Sequence, residues 1–402
     1  MATFFLIIIY MAFISLGLPD SLLGTAWPVM QIQYNAPLGA AGLISMVISG
    51  ATIISSLMSG SIIKRFGTGK ITFISCLMTA CALLGIAISP ALFWFFILAI
   101  PLGLGAGAVD SGLNNYVALH YKAHHMSWLH CFWGVGATLG PIIMSWYIGR
   151  GYSWRSGYFT VAMIQFGLVV LLFMTLPLWD KAANTVNNQS EDLSTRNQIT
   201  KNDLEHHSLK EINPIHIKGV KFALASFFFY CGIEASMGLW GSSFLVNVKG
   251  LDAATAARWV SMYYGGITLG RFITGFITMK LSNKVLIRMG QSITLGGALL
   301  LLLPLPNIFS LISFIMIGLG CAPVFPCMIH ETPTRFGKAY SQTIIGYQMA
   351  FAYIGITFLP PLLGWIAAST TIKILPYFAL FYILGMLFSS EIINRFMKNK
   401  AC

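Results

Sequence analysis

Gly103-Leu-Gly105-Ala-Gly107-Ala-Val-Asp110-Ser111-Gly-Leu-Asn114-Asn115 lies inside a long apolar run and carries one carboxylate at bilayer depth. A charge at the centre of a membrane helix costs roughly 2.5–3.5 kcal/mol on insertion scales, so such a residue is seldom idle. The stretch therefore reads as a membrane helix holding one of a few buried acids on a transport pathway. Its alternate glycines do not form a phosphate loop, because no strand precedes them and no Lys-Ser/Thr follows. They read instead as a surface for close helix packing.

The rest of the chain agrees with a membrane setting. Of 402 residues, 56% are apolar and 9% charged, against about 25% charged in a soluble domain. The net charge of +12 is carried largely by short loops between apolar runs. That is the pattern of membrane topology, and no nucleic-acid partner is expected. The seven cysteines have no metal-ligand spacing and are expected to be free thiols packed as small hydrophobes. The first apolar run is longer than a signal-peptide core of ~7–15 residues, so it reads as a retained helix.

Twelve spans are expected, at 4–30, 38–63, 69–89, 92–119, 127–148, 156–178, 219–247, 255–279, 285–303, 307–330, 341–367 and 372–393. Each is long enough to cross ~30 Å at 1.5 Å per residue. They divide the chain into an N-terminal half (1–179), a hydrophilic linker (180–218) and a C-terminal half (219–402). The linker is rich in Asn, Ser, Thr and charge and has no apolar period, so it reads as flexible, with a short surface helix as the alternative for part of it. Lys64, Arg65, Lys70, Lys122, Lys280, Lys284, Arg335 and Arg395 crowd one set of loops and the C-terminal end. The other side holds Arg150, Arg155, Lys249, Arg258 and Lys373. Both termini are therefore expected on the cytoplasmic side of the cell membrane.

The halves repeat one another. At an offset of 215, Gly50, Gly60, Thr79, Gly103 and Gly105 meet Gly265, Gly275, Thr294, Gly318 and Gly320. At an offset of 219, Phe132, Gly136, Thr138 and Pro141 meet Phe351, Gly355, Thr357 and Pro360. The expected fold is an all-α membrane protein of two pseudo-symmetric six-helix halves, related by an axis along the membrane normal, with a site between them at the midplane.

Gly60-Ser-Ile-Ile-Lys64-Arg65-Phe66-Gly67-Thr-Gly69-Lys70 resembles the loop between helices 2 and 3 of the major facilitator superfamily, with Lys64 where an acid is usual. Four further stretches resemble one branch, the fucose:proton symporters and their sodium-dependent glucose transporter-like relatives. These are Gly17-Leu-Pro19-Asp20; Asp110-Ser111-Gly112-Leu113-Asn114; Leu129-His130-Cys-Phe132-Trp133-Gly134-Val-Gly136 through Gly140-Pro141; and Tyr230-Cys-Gly-Ile-Glu234 through Trp240 to Gly265-Gly-Ile-Thr-Leu-Gly270-Arg271. The resemblance implies that Asp20 and Asp110 link proton and sugar binding and that Asn114 is a sugar ligand. His130 and Trp133 stand where those symporters carry Gln and Asn.

Read from the residues themselves, Asp20, Asp110 and Glu234 are acids well inside spans. Apolar surroundings disfavour the charged form of a carboxyl, so it can take a proton from one side and release it to the other. The alternative is a neutral or paired acid that only fixes helix packing, and Arg271 is the available partner for Glu234. A polar solute such as a sugar needs aromatic walls and a few amides or hydroxyls. The candidates are Trp27, Asn114, Asn115, His130, Trp133, Trp240, Tyr347 and Gln348. His130 and Trp133 share a helix face. Gly60, Lys64, Arg65, Gly67 and Arg271 are assigned structural or gating roles. Trp146, Trp154, Trp179 and Trp365 are expected in the interfacial belt.

The chemistry expected is secondary transport by a monomer in the lipid bilayer, taking a small-molecule substrate, most simply a neutral sugar. H+ or Na+ serves as coupling ion, without a cofactor. No catalytic triad or metal constellation points to an enzyme. The competing reading is a proton-driven exporter of small hydrophobic compounds or metabolites, since Gly136-Ala-Thr-Leu-Gly140-Pro141 resembles an antiporter helix-5 signature. A sensor on a transporter fold would need a signalling domain for which the linker has no room.

Overall fold

A computed structural model describes residues 2–121, 123–197 and 214–398. Side chains are described from Leu6 to Met397, except at 180–213 and at a few positions between 115 and 127 and between 338 and 342. The described chain is helical. In order it forms α1 (Ala2–Asp20), α2 (Leu22–Gln33), α3 (Ala40–Phe66), α4 (Thr68–Ile88), α5 (Phe93–His120), α6 (Ala123–Gly149) and α7 (Trp154–Asn197). Then follow α8 (Val220–Asn247), α9 (Ala253–Ile277), α10 (Asn283–Leu302), α11 (Asn307–Phe336), α12 (Lys338–Ser369) and α13 (Leu375–Lys398).

Among the described residues eleven segments are long and apolar enough to cross a membrane, and the first of them joins α1 to α2. The twelfth expected span is α9, which is long enough but carries Arg258 and Arg271 and is less apolar. The slack between α1 and α2 falls at Ser21, just after Pro19. Proline removes a helix hydrogen bond, so the chain eases next to Asp20. One boundary differs from expectation. α7 continues to Asn197, well past the apolar run, because nothing in the polar sequence after Trp179 breaks a helix.

Packing repeats with the sequence. In the N-terminal half, α1 packs on α6, α3 on α5, and α4 on α5 and α7. In the C-terminal half, α8 packs on α12, α9 on α11, and α10 on α11 and α13. The halves meet through α6 with α9, α3 with α12, and α2 with α8, which is again a two-fold pattern.

Glycines set how closely these helices approach. A Cβ on Gly103 or Gly107 would fall on the Ile48 or Thr52 carbonyl of α3, and one on Gly105 would lie 2.6 Å from the Ser75 carbonyl of α4. The freed surface of α5 then receives α3 hydroxyls, Thr52 Oγ1 to Gly103 O (3.2 Å) and Ser55 Oγ to Leu104 O (2.5 Å). Gly318 and Gly320, their repeat partners, seat α11 on Tyr263 of α9 and Gly290 of α10 in the same way.

Gly17 and Gly136 bring α1 onto α6. A Cβ on either would strike the other helix's backbone, at the Trp133 and Ile14 carbonyls respectively. Gly136→Val is therefore expected to abolish the monodisperse folded protein on size exclusion. Overpacking typically costs 1–3 kcal/mol and costs more when the obstacle is backbone. Gly167→Ala, at a site with nothing within 4 Å, should behave as wild type.

Asp252 caps α9, its carboxylate accepting the Thr255 N–H at 2.9 Å. The bonds to Thr255 hold this carboxyl below its ordinary range. A carboxyl lowered on folding adds stability above its unfolded value, and that stability is lost as pH falls through the folded value. Asp252→Ala should cost about 1 kcal/mol near neutrality. Melting curves of variant and wild type should converge in acid, below both values.

Two tryptophans expected in the belt are buried instead. Trp154 donates Nε1–H to Gln33 (2.6 Å), and Trp179 lies in the core beside α1 and α4. Trp146 and Trp365 are exposed. Arg155 caps α4 through the Ala87 and Ser89 carbonyls (3.3 and 2.6 Å) and stacks on Trp154, its guanidinium carbon 4.7 Å from the ring centroid. A cation there complements the negative end of α4, and Trp154 packs over it while also meeting Tyr34, Phe95 and Tyr158.

Candidate functional site

Three helices, α1, α5 and α8, bring the three acids towards the plane between the halves. α1 ends on Asp20, whose side chain is exposed although it lies mid-span. Its Oδ2 accepts the Trp133 Nε1–H of α6 at 2.8 Å. Behind that indole stands Arg271 of α9, the guanidinium carbon 5.1 Å from the ring centroid, with Tyr264 edge-on at 6.4 Å. Arg271 in turn pairs with Glu234 of α8 at 3.3 Å, the two side chains 10% and 17% exposed. Asp20, Trp133, Arg271 and Glu234 thus form one continuous array across the seam. Cation–π attraction strengthens as such a contact is desolvated.

Asp110 occupies a second position. Its Oδ1 accepts Asn114 Nδ2–H one turn along α5 (2.9 Å), and its Oδ2 accepts the Tyr353 hydroxyl of α12 (3.1 Å). Ser111 bonds Ser59 of α3 (2.5 Å). Asn114 Oδ1 is a buried acceptor without a hydrogen-bond partner among the described residues. The Asn115 side chain lies outside the described ones.

The other sequence candidates are dispersed. His130 is partly buried on α6, with its ring edge-on to Phe13 of α1 at 6.0 Å. Trp27 and Trp240 are fully buried in the core, and Trp240 donates to the Pro360 carbonyl (2.8 Å). Trp240 lies in the closed seam where Gly42 of α3 and Gly364 of α12 press on its ring. Gln348 is buried and accepts the Thr332 hydroxyl (3.0 Å), tying α12 to α11. Tyr347 packs on the cluster around Val220 and Phe336. Lys64 and Arg65 are exposed at the end of α3, Gly60 has open space around it, and Gly67 turns the chain into α4 at φ +83°. No group of His, Cys, Asp and Glu among the described residues could hold a metal ion.

Sequence reading missed Tyr353. Its signal was present, for Tyr353 sits inside the stretch Phe351 to Gly355 that repeats Phe132 to Gly136. A second signal also went unread. At an offset of 214 Asp20 meets Glu234, and at 213 Trp27 meets Trp240, so two candidates per half occupy matching places.

Comparison with known proteins places this geometry. Residues 9–360 match the Major Facilitator Superfamily. The chain is 22% identical to the glucose/mannose transporter GlcP of Bacillus subtilis, covering 90% of this chain and 88% of that one. It is 22% identical to the cis,cis-muconate transport protein of Acinetobacter baylyi, covering 85% and 82%. The xylose transporter XylE from E. coli, in a partially occluded inward open conformation, superposes with a TM-score of 0.73 at 13% identity, over 97% of this chain and 98% of that one. At that identity the structural likeness speaks for the fold alone. With two six-helix halves, acids set at their seam and a family match over most of its length, the chain belongs to the Major Facilitator Superfamily.

Proposed function

We propose that this transporter catalyses proton-coupled symport of a neutral sugar or a related small polar solute by alternating access. The observation that carries the proposal is the placement of Asp20 and Asp110, two acids at the seam whose partners are neutral donors, Trp133, Asn114 and Tyr353. Arg271 is already paired with Glu234. With both acids ionised the interior is negative, which repels anions. With both protonated it is neutral, which suits a neutral solute. Substrate would lie between α1, the Asp110–Asn114 turn of α5, and α6. Trp133 and His130 would supply aromatic surface there, and Asn114 Oδ1 a free acceptor for a hydroxyl. The likeness to a glucose/mannose transporter supports the sugar class.

The proposal places both termini in the cytoplasm, the protein in the cell membrane as a monomer, and H+ rather than Na+ as the coupling ion. The glycine-proline run of α6 does not by itself call for an exporter. Gly136 and Gly140 are required where α6 meets α1, so the glycine-proline run is accounted for by packing.

Thermal stabilisation of the purified protein against a panel of sugars, carboxylates and amphipathic cations tests the substrate class. A ligand at ~100 Kd raises stability by about 2.7 kcal/mol. A response to a sugar that changes in Asp110→Asn is expected. Response only to dicarboxylates or to amphipathic cations would overturn the proposal.

A further inference from the structure

We infer that Tyr353 is the residue through which the protonation state of Asp110 sets how firmly the two halves are held together; this rests on Asp110 being a coupling acid, as proposed above. Tyr353 belongs to α12 and Asp110 to α5, so their 3.1 Å hydrogen bond joins the C-terminal half to the N-terminal one. Ser56 of α3 reaches the same phenol while bonding the Gly107 carbonyl of α5 (3.2 Å). The phenol is thus seated against two helices of the opposite half. Among the described residues, the inter-half hydrogen bonds of α6 with α9 run between neutral groups: Ser145 to the Ala254 carbonyl (2.8 Å), Thr138 with Thr268 (3.4 Å) and Cys131 to the Thr268 carbonyl (3.8 Å). The Tyr353 bond differs in ending on a carboxylate.

That difference makes it a switch. A hydrogen bond to an ionised acceptor is roughly twice as strong as one between neutral groups. With Asp110 ionised, Tyr353 holds α12 to α5. With Asp110 protonated the bond weakens, and the halves are freer to separate at the end where the chain termini lie. The titratable groups around the pair are few. Asp20 of α1 lies within electrostatic reach of Asp110, Cys231 of α8 lies near Tyr353, and Asn114 and Ser56 are uncharged. Arg271 and His130 interact with each other across α9 and α6. Among the described residues Asp20 is therefore the one other carboxyl whose charge bears on the contact.

Gly60 of α3 and Gly346 of α12 report the separation. Both are exposed, lie towards the terminal side of their helices and have nothing within 4 Å of a Cβ. Spin labels at Gly60→Cys and Gly346→Cys, in full-length protein with its native cysteines replaced and uptake retained, give inter-half distances in nanodiscs between pH 5 and 9. In this background the ratio of wide to narrow separations should rise about five- to tenfold on acidification. Tyr353→Phe and Asp110→Asn should each be wide at high pH and lose the response, and the double variant should be no wider than either single one. Shifts that add in the double variant overturn the switch. So does a Tyr353→Phe protein that keeps the full pH response while Asp110→Asn loses it, which leaves Asp110 as the coupling acid. A full response in Asp110→Asn overturns both.

Discussion

Asp110→Asn protein should bind substrate and exchange it across a membrane but fail to accumulate it. The amide is an isostere of the protonated carboxyl that cannot release a proton. In the structure one oxygen accepts from Asn114 and the other from Tyr353. In the variant the new amide oxygen can still accept from Tyr353. The new NH2 would face Asn114 Nδ2, a donor against a donor, unless the Asn114 amide turns over. Turning brings Asn114 Oδ1, which lacks a partner among the described residues in the wild type, to the new NH2 and puts Nδ2 where Oδ1 stood, so one amide atom of Asn114 stays unpartnered as before. The fold should therefore survive, because no further unmade buried bond, at ~1–3 kcal/mol, is added. Proton-driven uptake into proteoliposomes should fall at least about 100-fold, the equivalent of ~2.7 kcal/mol, while counterflow of preloaded substrate stays within a few-fold of wild type. Loss of counterflow together with uptake would show that Asp110 is needed for folding or binding rather than for coupling.

Arg271→Met should be the most destabilising single change at the site. Arg271 and Glu234 are both largely buried, and their contact is a single bond at 3.3 Å. Removing the guanidinium leaves a carboxylate unpaired in a desolvated place, at a cost of about 3–5 kcal/mol. It also takes the cation from the face of Trp133, which orients the indole that donates to Asp20. The double change Glu234→Gln with Arg271→Met removes both charges and should regain most of the lost stability in thermal unfolding of detergent-solubilised protein. If the double variant melts as low as Arg271→Met, the uncompensated charge is not the cause and packing around Trp133 is.

The fold was legible because a membrane span must be apolar along its length, and because the glycine positions that let helices touch are copied from one half to the other. Gly103 and Gly105 predicted close packing, and the structure places their missing side chains against the Ile48 and Ser75 carbonyls. The acids were legible for the reason that makes them costly, a carboxyl inside an apolar run. Their partners were less so. Trp133 reads as sugar-binding surface, yet its indole N–H serves Asp20, and its ring lies against Arg271 from a helix more than a hundred residues on. Trp27 and Trp240 carry the same aromatic signal as Trp133 but are fully buried, Trp240 within the closed part of the seam, since the sequence shows a tryptophan's depth and not what packs over it. Tyr353 escaped because a tyrosine costs little in an apolar run and its hydroxyl draws no attention until Asp110 is seen opposite it. Gln348 shows the reverse, for a mid-span amide suits either a ligand or a neighbouring helix, and among the described residues its partner is Thr332 of α11.

The most direct test of coupled symport is the internal pH of proteoliposomes when substrate is added outside. They should start with no pH gradient and be buffered with potassium alone. A pH-sensitive dye trapped inside should report acidification on adding the sugar that stabilises the protein, and none with Asp110→Asn. An alkaline shift would mark exchange of substrate for protons. Uptake without any pH change, restored to full rate only by sodium, would assign the coupling to Na+ and contradict the proton account.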